Sequence, residues 1–284
     1  MPRHVSQNVS KIQRPGGVSI AYHVDDFTDP WEQRPILLLQ HGNGRNAAFW
    51  YAWIPALARR FRVIRPDARG VGASSPIADP ARQIDIPACV ADLAALIREV
   101  GGGAPVHFCG ESMGGILGMV LAAEHPELVA TLSLIATPVY ISEAMKKRYS
   151  MGASSRLAAM REMGIEKWVR ATSVNTRFPP EASGLIDWYV AEFSKGNPET
   201  LVRYSELVNS ASAEQYLSRI QAPTLALFPT NGPITDPEQE RLIGEKIANV
   251  TVEHLPTEYH MIHLICPEAC AQQVGAFCES HPAA

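Results

Sequence analysis

One short segment constrains the fold of this 284-residue chain more than any other. The apolar run at residues 106–109 leads directly into Gly110-Glu-Ser-Met-Gly-Gly, and a nearly all-apolar stretch then continues to Glu124. The run predicts a buried strand, and the stretch that opens at Ser112 predicts a helix. Small residues around Ser112 let the backbone turn sharply from one into the other. The segment therefore predicts a strand, a tight turn and a helix packed against a sheet.

The remaining sequence alternates between strand and helix patterns. Short apolar runs predict strands at residues 35–40, 61–66, 131–136, 224–228 and 250–255, with an antiparallel edge strand at 18–24. Apolar residues at helical spacing predict a helix over 86–100, which Gly101-Gly-Gly ends, and a last helix over 267–280. Such alternation predicts an α/β fold with a mostly parallel sheet, flanked by helices.

One long stretch interrupts this alternation. Residues 138–220 carry no strand pattern, but they contain helix-like pieces at 166–172, 185–193 and 198–209 and a loop at 173–183. We predict a core formed by residues 1–137 and 221–284, with 138–220 as a helical cap (lid) over the edge where α/β sheets bind ligands. Candidate pocket residues for a flat or anionic substrate, if they do not simply pack the lid, are Tyr149, Arg177, Trp188, Tyr189 and Tyr204.

Composition excludes several classes of function. Hydrophobic residues make up 46% of the chain, and 25 basic against 29 acidic residues give a net charge of −4 without a basic block. We therefore expect no nucleic-acid or membrane partner. The first fifteen residues lack the apolar core of a secretory signal, and the five cysteines are an odd number, so we expect a cytoplasmic protein. No cofactor or metal is implied, and the oligomeric state stays open, with a homodimer as one option.

The turn at Ser112 also predicts chemistry. Gly-x-Ser-x-Gly between a strand and a helix is the nucleophile elbow, which exposes the serine Oγ at a helix N-terminus, where negative charge is stabilised. His41-Gly-Asn-Gly follows the strand at 35–40 and can offer a backbone N–H to an oxyanion. We assign that donor to Asn43 and the second donor to Met113, the residue after the nucleophile. An ordinary glycine-rich turn with a serine cap is the alternative.

These features make the sequence resemble the α/β-hydrolase superfamily over nearly its whole length. The resemblance rests on His41-Gly, on Arg65-Pro-Asp-Ala-Arg-Gly-Val-Gly, on Gly110-Glu-Ser-Met-Gly-Gly, and on His260 seven residues before Pro267-Glu. Within the superfamily, the chain is similar to small capped serine hydrolases around 3-oxoadipate enol-lactonase and to related esterases and C–C bond hydrolases. The resemblance implies that His260, in the loop after the last strand, is the general base, and that His263 is structural or supports it.

The expected activity is hydrolysis of a small carboxylic ester or lactone through an acyl-enzyme on Ser112, with His260 as base. One alternative is a C–C bond or amide hydrolase that uses the same residues. Another is a catalytically impaired homologue that only binds a ligand, because fold alone does not fix function.

The family's acidic residue is missing from its usual place. After the strand at 224–228 the chain reads Pro229-Thr-Asn-Gly-Pro-Ile-Thr-Asp, so Gly232 occupies the position of the aspartate that orients the histidine. Asp236 could substitute, although Asp236-Pro237 is also typical of a helix start. Glu143 is the nearest carboxylate after the preceding strand. A Ser–His dyad, with Asn231 or water holding the imidazole, is the third alternative.

Overall fold

The computed structural model describes residues 9–283, which form an eight-stranded sheet. The strands are β1 (Val9–Gln13), β2 (Ser19–Asp25), β3 (Ile36–Gln40), β4 (Arg62–Pro66), β5 (Val106–Glu111), β6 (Val129–Ile135), β7 (Thr224–Pro229) and β8 (Val250–Leu255). Their spatial order is β1-β2-β4-β3-β5-β6-β7-β8. The six strands from β4 to β8 in this spatial order are all parallel to their neighbours. Strand β2 pairs antiparallel with β4 on one side and with β1 on the other. The predicted fold class is confirmed.

The edge of the sheet differs from the prediction. The strand predicted at residues 18–24 is antiparallel as expected, but it is not the edge, because β1 pairs along its outer side. The sequence of β1, Val9-Ser-Lys-Ile-Gln, has only two large apolar residues, and Ile12 alone is buried. An edge strand that covers so little core carries a weak hydrophobic pattern, which is why sequence reasoning missed it.

Helices cover both faces of the sheet. They are α1 (Ile54–Leu57), α2 (Pro80–Gln83), α3 (Ile86–Gly101), α4 (Met113–Glu124), α5 (Glu143–Tyr149), α6 (Arg156–Met163), α7 (Ile165–Ser173), α8 (Ser183–Phe193), α9 (Pro198–Ser210), α10 (Pro237–Lys246), α11 (Ile262–Ile265) and α12 (Pro267–Ser280). Shorter 3₁₀ helices occur at Pro15–Gly17, Ala47–Trp53, Pro126–Leu128 and Glu214–Arg219. None of the helices between residues 9 and 283 is long and apolar enough to cross a bilayer.

The run of apolar residues in β3 shows why a strand buried on both faces has no polar alternation. Leu37 and Leu39 belong to the apolar cluster on one face of the sheet, together with Trp50 and Trp53, whereas Leu38 belongs to the cluster on the other face. All three leucines are fully buried. Burying each such side chain contributes about 1.5–3 kcal/mol to folding, so both layers of helices are held by this central sheet.

Local signals position the long helix α3. The Asp85 side chain caps its start by accepting a hydrogen bond from the Ala88 N–H at 2.7 Å. Gly102 follows its end at φ 60°, a left-handed conformation that glycine adopts without steric cost. The predicted start and stop of this helix are therefore confirmed.

Between β6 and β7 the chain forms five α-helices, α5 to α9, and the 3₁₀ helix Glu214–Arg219. The three helices predicted there agree with α7, α8 and α9, but α5 and α6 were not predicted. Both are short, and α6 buries an arginine, Arg156, so neither shows the continuous apolar stripe that a sequence pattern relies on. The division into a core and a helical cap stays a prediction, and residues 1–8 and Ala284 of the predicted core lie outside the described residues.

Candidate active site

The turn between β5 and α4 carries Ser112. Ser112 has φ 52° and ψ −117°, a strained conformation for a residue with a side chain, and its backbone N–H donates to the Ile135 carbonyl at 3.0 Å. A Cβ on Gly110 would collide with the backbone of Gly114, and one on Gly114 would collide with the Gln40 carbonyl. The chain can therefore turn here only with glycine at both positions. The turn places Ser112 at the N-terminus of α4, beside the carboxyl ends of the parallel strands.

His260 reaches the same place from the far end of the chain. It lies in the loop after β8, and the loop is held down by two backbone hydrogen bonds, from the His260 N–H to the Thr176 carbonyl at 3.0 Å and from the Met261 N–H to the Arg177 carbonyl at 3.2 Å. Ser112 and His260 both line one small cavity. The predicted nucleophile and base, 148 positions apart in the sequence, are thus brought to a single site.

The cavity is small. It has a volume of about 20 Å³, which is room for about one water molecule, and Ser112 and His260 are only 8% and 3% exposed. Asn43 comes from the loop after β3, while Tyr149, Arg156 and Arg177 come from the helical segment between β6 and β7. A wider cleft of about 880 Å³ lies elsewhere and has neither Ser112 nor His260 in its lining. In this conformation the cavity beside Ser112 therefore has no room for an organic substrate.

His260 is poised to accept a proton. Burial, with the positive charges of Arg45 and Arg177, lowers the pKa of its imidazole well below 6.5. The ring is therefore neutral at neutral pH and has a free lone pair, as a general base requires. Its Nε2 lies 3.5 Å from Glu111 Oε1, longer than a normal hydrogen bond but close enough for the carboxylate to stabilise an imidazolium.

Glu111, the residue before Ser112, forms a buried ion pair with Arg45. Arg45 Nη2 donates to both carboxylate oxygens of Glu111, at 2.7 and 2.5 Å, and Arg45 Nη1 donates to the Tyr189 hydroxyl at 3.1 Å. Burial raises the pKa of the Glu111 carboxyl, an effect that Arg45 opposes. Burial alone would lower the pKa of Arg45, but Glu111 raises it above its ordinary value. Glu111 thus places a carboxylate beside His260, and Arg45 neutralises most of the negative charge of that carboxylate.

The sequence alone assigns no role to Glu111, which could be structural or could line the pocket, and it does not single out Arg45. The available signal was that Glu111 ends a strand buried on both faces, where an ionised carboxylate needs a partner. Nothing in the sequence shows which arginine that partner is.

The predicted oxyanion donors remain free of protein acceptors. Among the described residues, the backbone N–H groups of Asn43 and Met113 make no hydrogen bond, and Met113 is the first residue of α4, where an N–H has no partner within the helix. The Asn43 side chain instead donates to Ser205 Oγ at 3.2 Å. The N–H groups of both residues are thus available to a substrate oxygen, although their assignment stays a prediction.

Two other histidines have structural surroundings. His41 Nδ1 lies 2.9 Å from the Gly42 carbonyl, and His41 Nε2 accepts from the Ala68 N–H at 3.0 Å, so these contacts fix a neutral tautomer. Burial lowers the pKa of His41 to about 4. His263 packs against Trp50, with the ring centroids 5.0 Å apart. His41 thus stabilises the turn in which it lies, and the position of His263 matches its interpretation as a structural or supporting residue.

None of the candidates for the missing acid forms an ion pair or a hydrogen bond with His260 among the described residues. Glu143 is at the exposed start of α5, where it pairs with Lys146 at 2.7 Å. Asp236 caps α10 by accepting from the Gln239 N–H at 3.0 Å. Asn231 forms no hydrogen bond with His260 within residues 9–283, and Gly232 lies in the same loop. Glu111 is the carboxylate that the structure places near His260.

We therefore expect Glu143→Ala to keep kcat/KM within about twofold of the wild type. Asp236→Ala should keep it as well but should lower the free energy of unfolding by about 1 kcal/mol, because a helix cap is lost. Steady-state kinetics with an ester and urea unfolding measure the two effects. A hundredfold loss of kcat/KM in either variant would show that its carboxylate, and not Glu111, serves His260.

Comparisons with known proteins agree with this fold. The family described as alpha/beta hydrolase fold matches residues 35–266. A 3-oxoadipate enol-lactonase from Acinetobacter baylyi is 27% identical over 248 residues, which cover 86% of this chain and 88% of that protein. A pimeloyl-[acyl-carrier protein] methyl ester esterase from Chromobacterium violaceum is 27% identical, with 82% and 90% covered. The crystal structure of a hydrolase from Pseudomonas aeruginosa superimposes with a TM-score of 0.82 at 28% identity, covering 96% of this chain and 98% of that one. The chain therefore belongs to the α/β-hydrolase family and resembles its esterases and lactonases.

Proposed function

We propose that this hydrolase cleaves a small carboxylic ester or lactone through an acyl-enzyme on Ser112, with His260 as the general base. The observation that carries the proposal is the convergence of Ser112, in its strained turn, and the neutral His260 on one cavity. The similarity to an enol-lactonase and to a methyl ester esterase supports an ester or a lactone as the substrate.

In the proposed reaction, Ser112 Oγ attacks the carbonyl carbon while its proton passes to His260. The oxygen of the tetrahedral intermediate becomes negative and accepts hydrogen bonds from the Asn43 and Met113 N–H groups. The carbon–oxygen bond of the ester then breaks, and the leaving alcohol takes the proton from His260; in a lactone the ring opens at this step. Water next attacks the acyl-enzyme with His260 as base, which releases the acid and restores Ser112.

Glu111 has a supporting part in this proposal. Each step transiently charges the imidazole, and Glu111 Oε1 is 3.5 Å from His260 Nε2. A carboxylate at that distance stabilises the imidazolium, although Arg45 reduces the effect by holding both carboxylate oxygens. The role is one of charge stabilisation, because the distance is too long for a hydrogen bond that would fix the tautomer.

A fluorophosphonate probe and a substrate panel test the proposal. We expect the probe to label one residue per chain, Ser112, and to abolish hydrolysis of esters and lactones in proportion to labelling. Faster cleavage of a dienoate C–C bond or an amide than of any ester would favour those alternative activities. Absence of both labelling and turnover would favour a homologue that only binds a ligand.

The acid limb of the pH profile is a second test. Lowering the pH protonates His260 and removes the base, and this loss occurs only near the pKa of His260, which burial lowers well below 6.5. For an uncharged ester we therefore expect kcat/KM to stay flat from pH 8 down to 6.5 and to fall at lower pH. A midpoint of the acid limb at or above 6.5 would contradict the assignment of a buried, neutral His260 as base.

A further inference from the structure

Two arginines are buried beside Ser112 without a carboxylate partner. Arg156 and Arg177 are each 4% exposed, and neither forms an ion pair among the described residues. Arg156 Nη1 makes one long hydrogen bond, 3.4 Å to Asn209 Oδ1, and its Nε has no partner. Arg177 Nη1 donates to the carbonyl and the hydroxyl of Thr172, both at 2.8 Å. Much of the hydrogen-bonding capacity of the two guanidinium groups therefore remains unused.

The two guanidinium groups are held together over the same aromatic rings. Arg156 Cζ lies 4.8 Å from the ring centroid of Tyr149 and 5.0 Å from that of Trp168. The corresponding distances for Arg177 are 5.0 and 5.8 Å. Both arginines line the cavity that contains Ser112 and His260. The rings thus fix two like charges next to the reacting serine.

The charges in the cavity do not balance. Glu111 is paired with Arg45, and burial keeps His260 and His263 neutral, so neither Arg156 nor Arg177 has a carboxylate within ion-pair distance among the described residues. Burial, reinforced by Arg177 and Arg45, lowers the pKa of Arg156 to about 10, so it is still charged at neutral pH. Contacts with aromatic rings offset only part of the cost of burying a cation. A bound anion would supply the missing partner.

We propose that Arg156 and Arg177 form an anion-binding subsite of the catalytic cavity, and that the substrate is an ester or lactone that also carries a carboxylate. That the substrate is an ester or a lactone rests on the proposed function of Ser112. A carboxylate is a small planar acceptor, and a guanidinium can bind it through two parallel hydrogen bonds. The negative group would sit on the two arginines while the carbonyl carbon lies at Ser112, so charge selects and positions the substrate.

Paired substrates of equal acyl length test the subsite. We expect the wild type to hydrolyse the monomethyl esters of succinate, glutarate or adipate with a kcat/KM at least tenfold higher than the corresponding dimethyl ester. In Arg156→Gln and in Arg177→Gln, the ratio of the two kcat/KM values should fall about 10- to 100-fold, because a hydrogen-bonded charge pair is lost. The matched control is Arg161→Gln. Arg161 lies on α6, as Arg156 does, but its side chain is 59% exposed and 3.6 Å from Glu199. That control should leave the ratio unchanged.

Direct binding separates this proposal from the proposed reaction. Glutarate should bind the wild type in isothermal titration calorimetry, and the binding should weaken at least tenfold in Arg156→Gln and Arg177→Gln but not in Arg161→Gln. Should a glutamine variant fail to fold, Arg156→Lys keeps the charge and loses the planar fork, and it should bind glutarate more weakly than the wild type. An enzyme that is labelled at Ser112 but treats charged and neutral esters alike, or glutarate binding that no arginine variant weakens, would overturn the subsite. If Ser112 is neither labelled nor active, the proposed reaction fails, and glutarate binding still decides the subsite.

Discussion

Replacing Ser112 by alanine should lower kcat/KM for an ester by about 10⁴-fold or more, because the attacking oxygen is removed while the fold is kept. Ser112 is small, and its Oγ makes no hydrogen bond to another described residue, so the free energy of unfolding should change little. Hydrolysis of p-nitrophenyl acetate by the purified variant measures the loss, and circular dichroism checks the fold.

Ser133→Ala is the matched control for that experiment. Ser133 lies on β6, is fully buried and has a hydroxyl without a partner, and it does not line the cavity. We expect its variant to keep kcat/KM within about twofold. If Ser112→Ala hydrolysed the ester as fast as Ser133→Ala and the wild type, Ser112 would not be the nucleophile.

The Arg45–Glu111 pair should give the largest effect on stability. Removing one partner leaves the other charge buried and unpaired, so we expect Arg45→Met and Glu111→Gln each to lower the free energy of unfolding by about 3–5 kcal/mol. The double variant removes both charges together, and its free energy of unfolding should be no lower than that of the less stable single variant. Urea unfolding of the wild type and the three variants completes the double-mutant cycle.

An exposed pair provides the comparison for this cycle. Arg241 and Glu238 are 2.7 Å apart with side chains that are 50% and 56% exposed, so solvent screens their attraction. Glu238→Gln should leave stability without a measurable change. Losses in the two single variants that simply add in the double variant would mean that Arg45 and Glu111 act independently, contrary to the contact in the structure.

Much of the fold could be predicted because its signals are local. The apolar run of β3 predicts a strand, and the apolar residues at helical spacing in α3 predict a helix, in each case from neighbouring residues alone. The glycines around Ser112 predict the turn in the same way. Elements with weak local patterns were missed. The edge strand β1 buries one residue, and α6 buries an arginine that a pattern of apolar residues cannot anticipate.

The site was predictable where the spacing along the chain fixes the role. Ser112 follows from its turn, whereas the proximity of Glu111 to His260 depends on a contact between residues 149 positions apart. The positions of Arg156 and Arg177 at the cavity that contains Ser112 depend likewise on how the segment between β6 and β7 packs against the rest of the chain. Such long-range pairings follow from the packing of whole elements, and a single sequence does not specify them.

The most direct measurement is of the acyl group on the enzyme itself. Rapid mixing with p-nitrophenyl acetate, acid quenching and mass spectrometry of the digested protein report where the acetyl group resides during turnover. The proposed mechanism predicts a burst of about one p-nitrophenol per chain and an acetyl mass on the peptide that contains Ser112. Steady turnover without a burst and without acetyl on Ser112, or acetyl carried by a different residue, would contradict it.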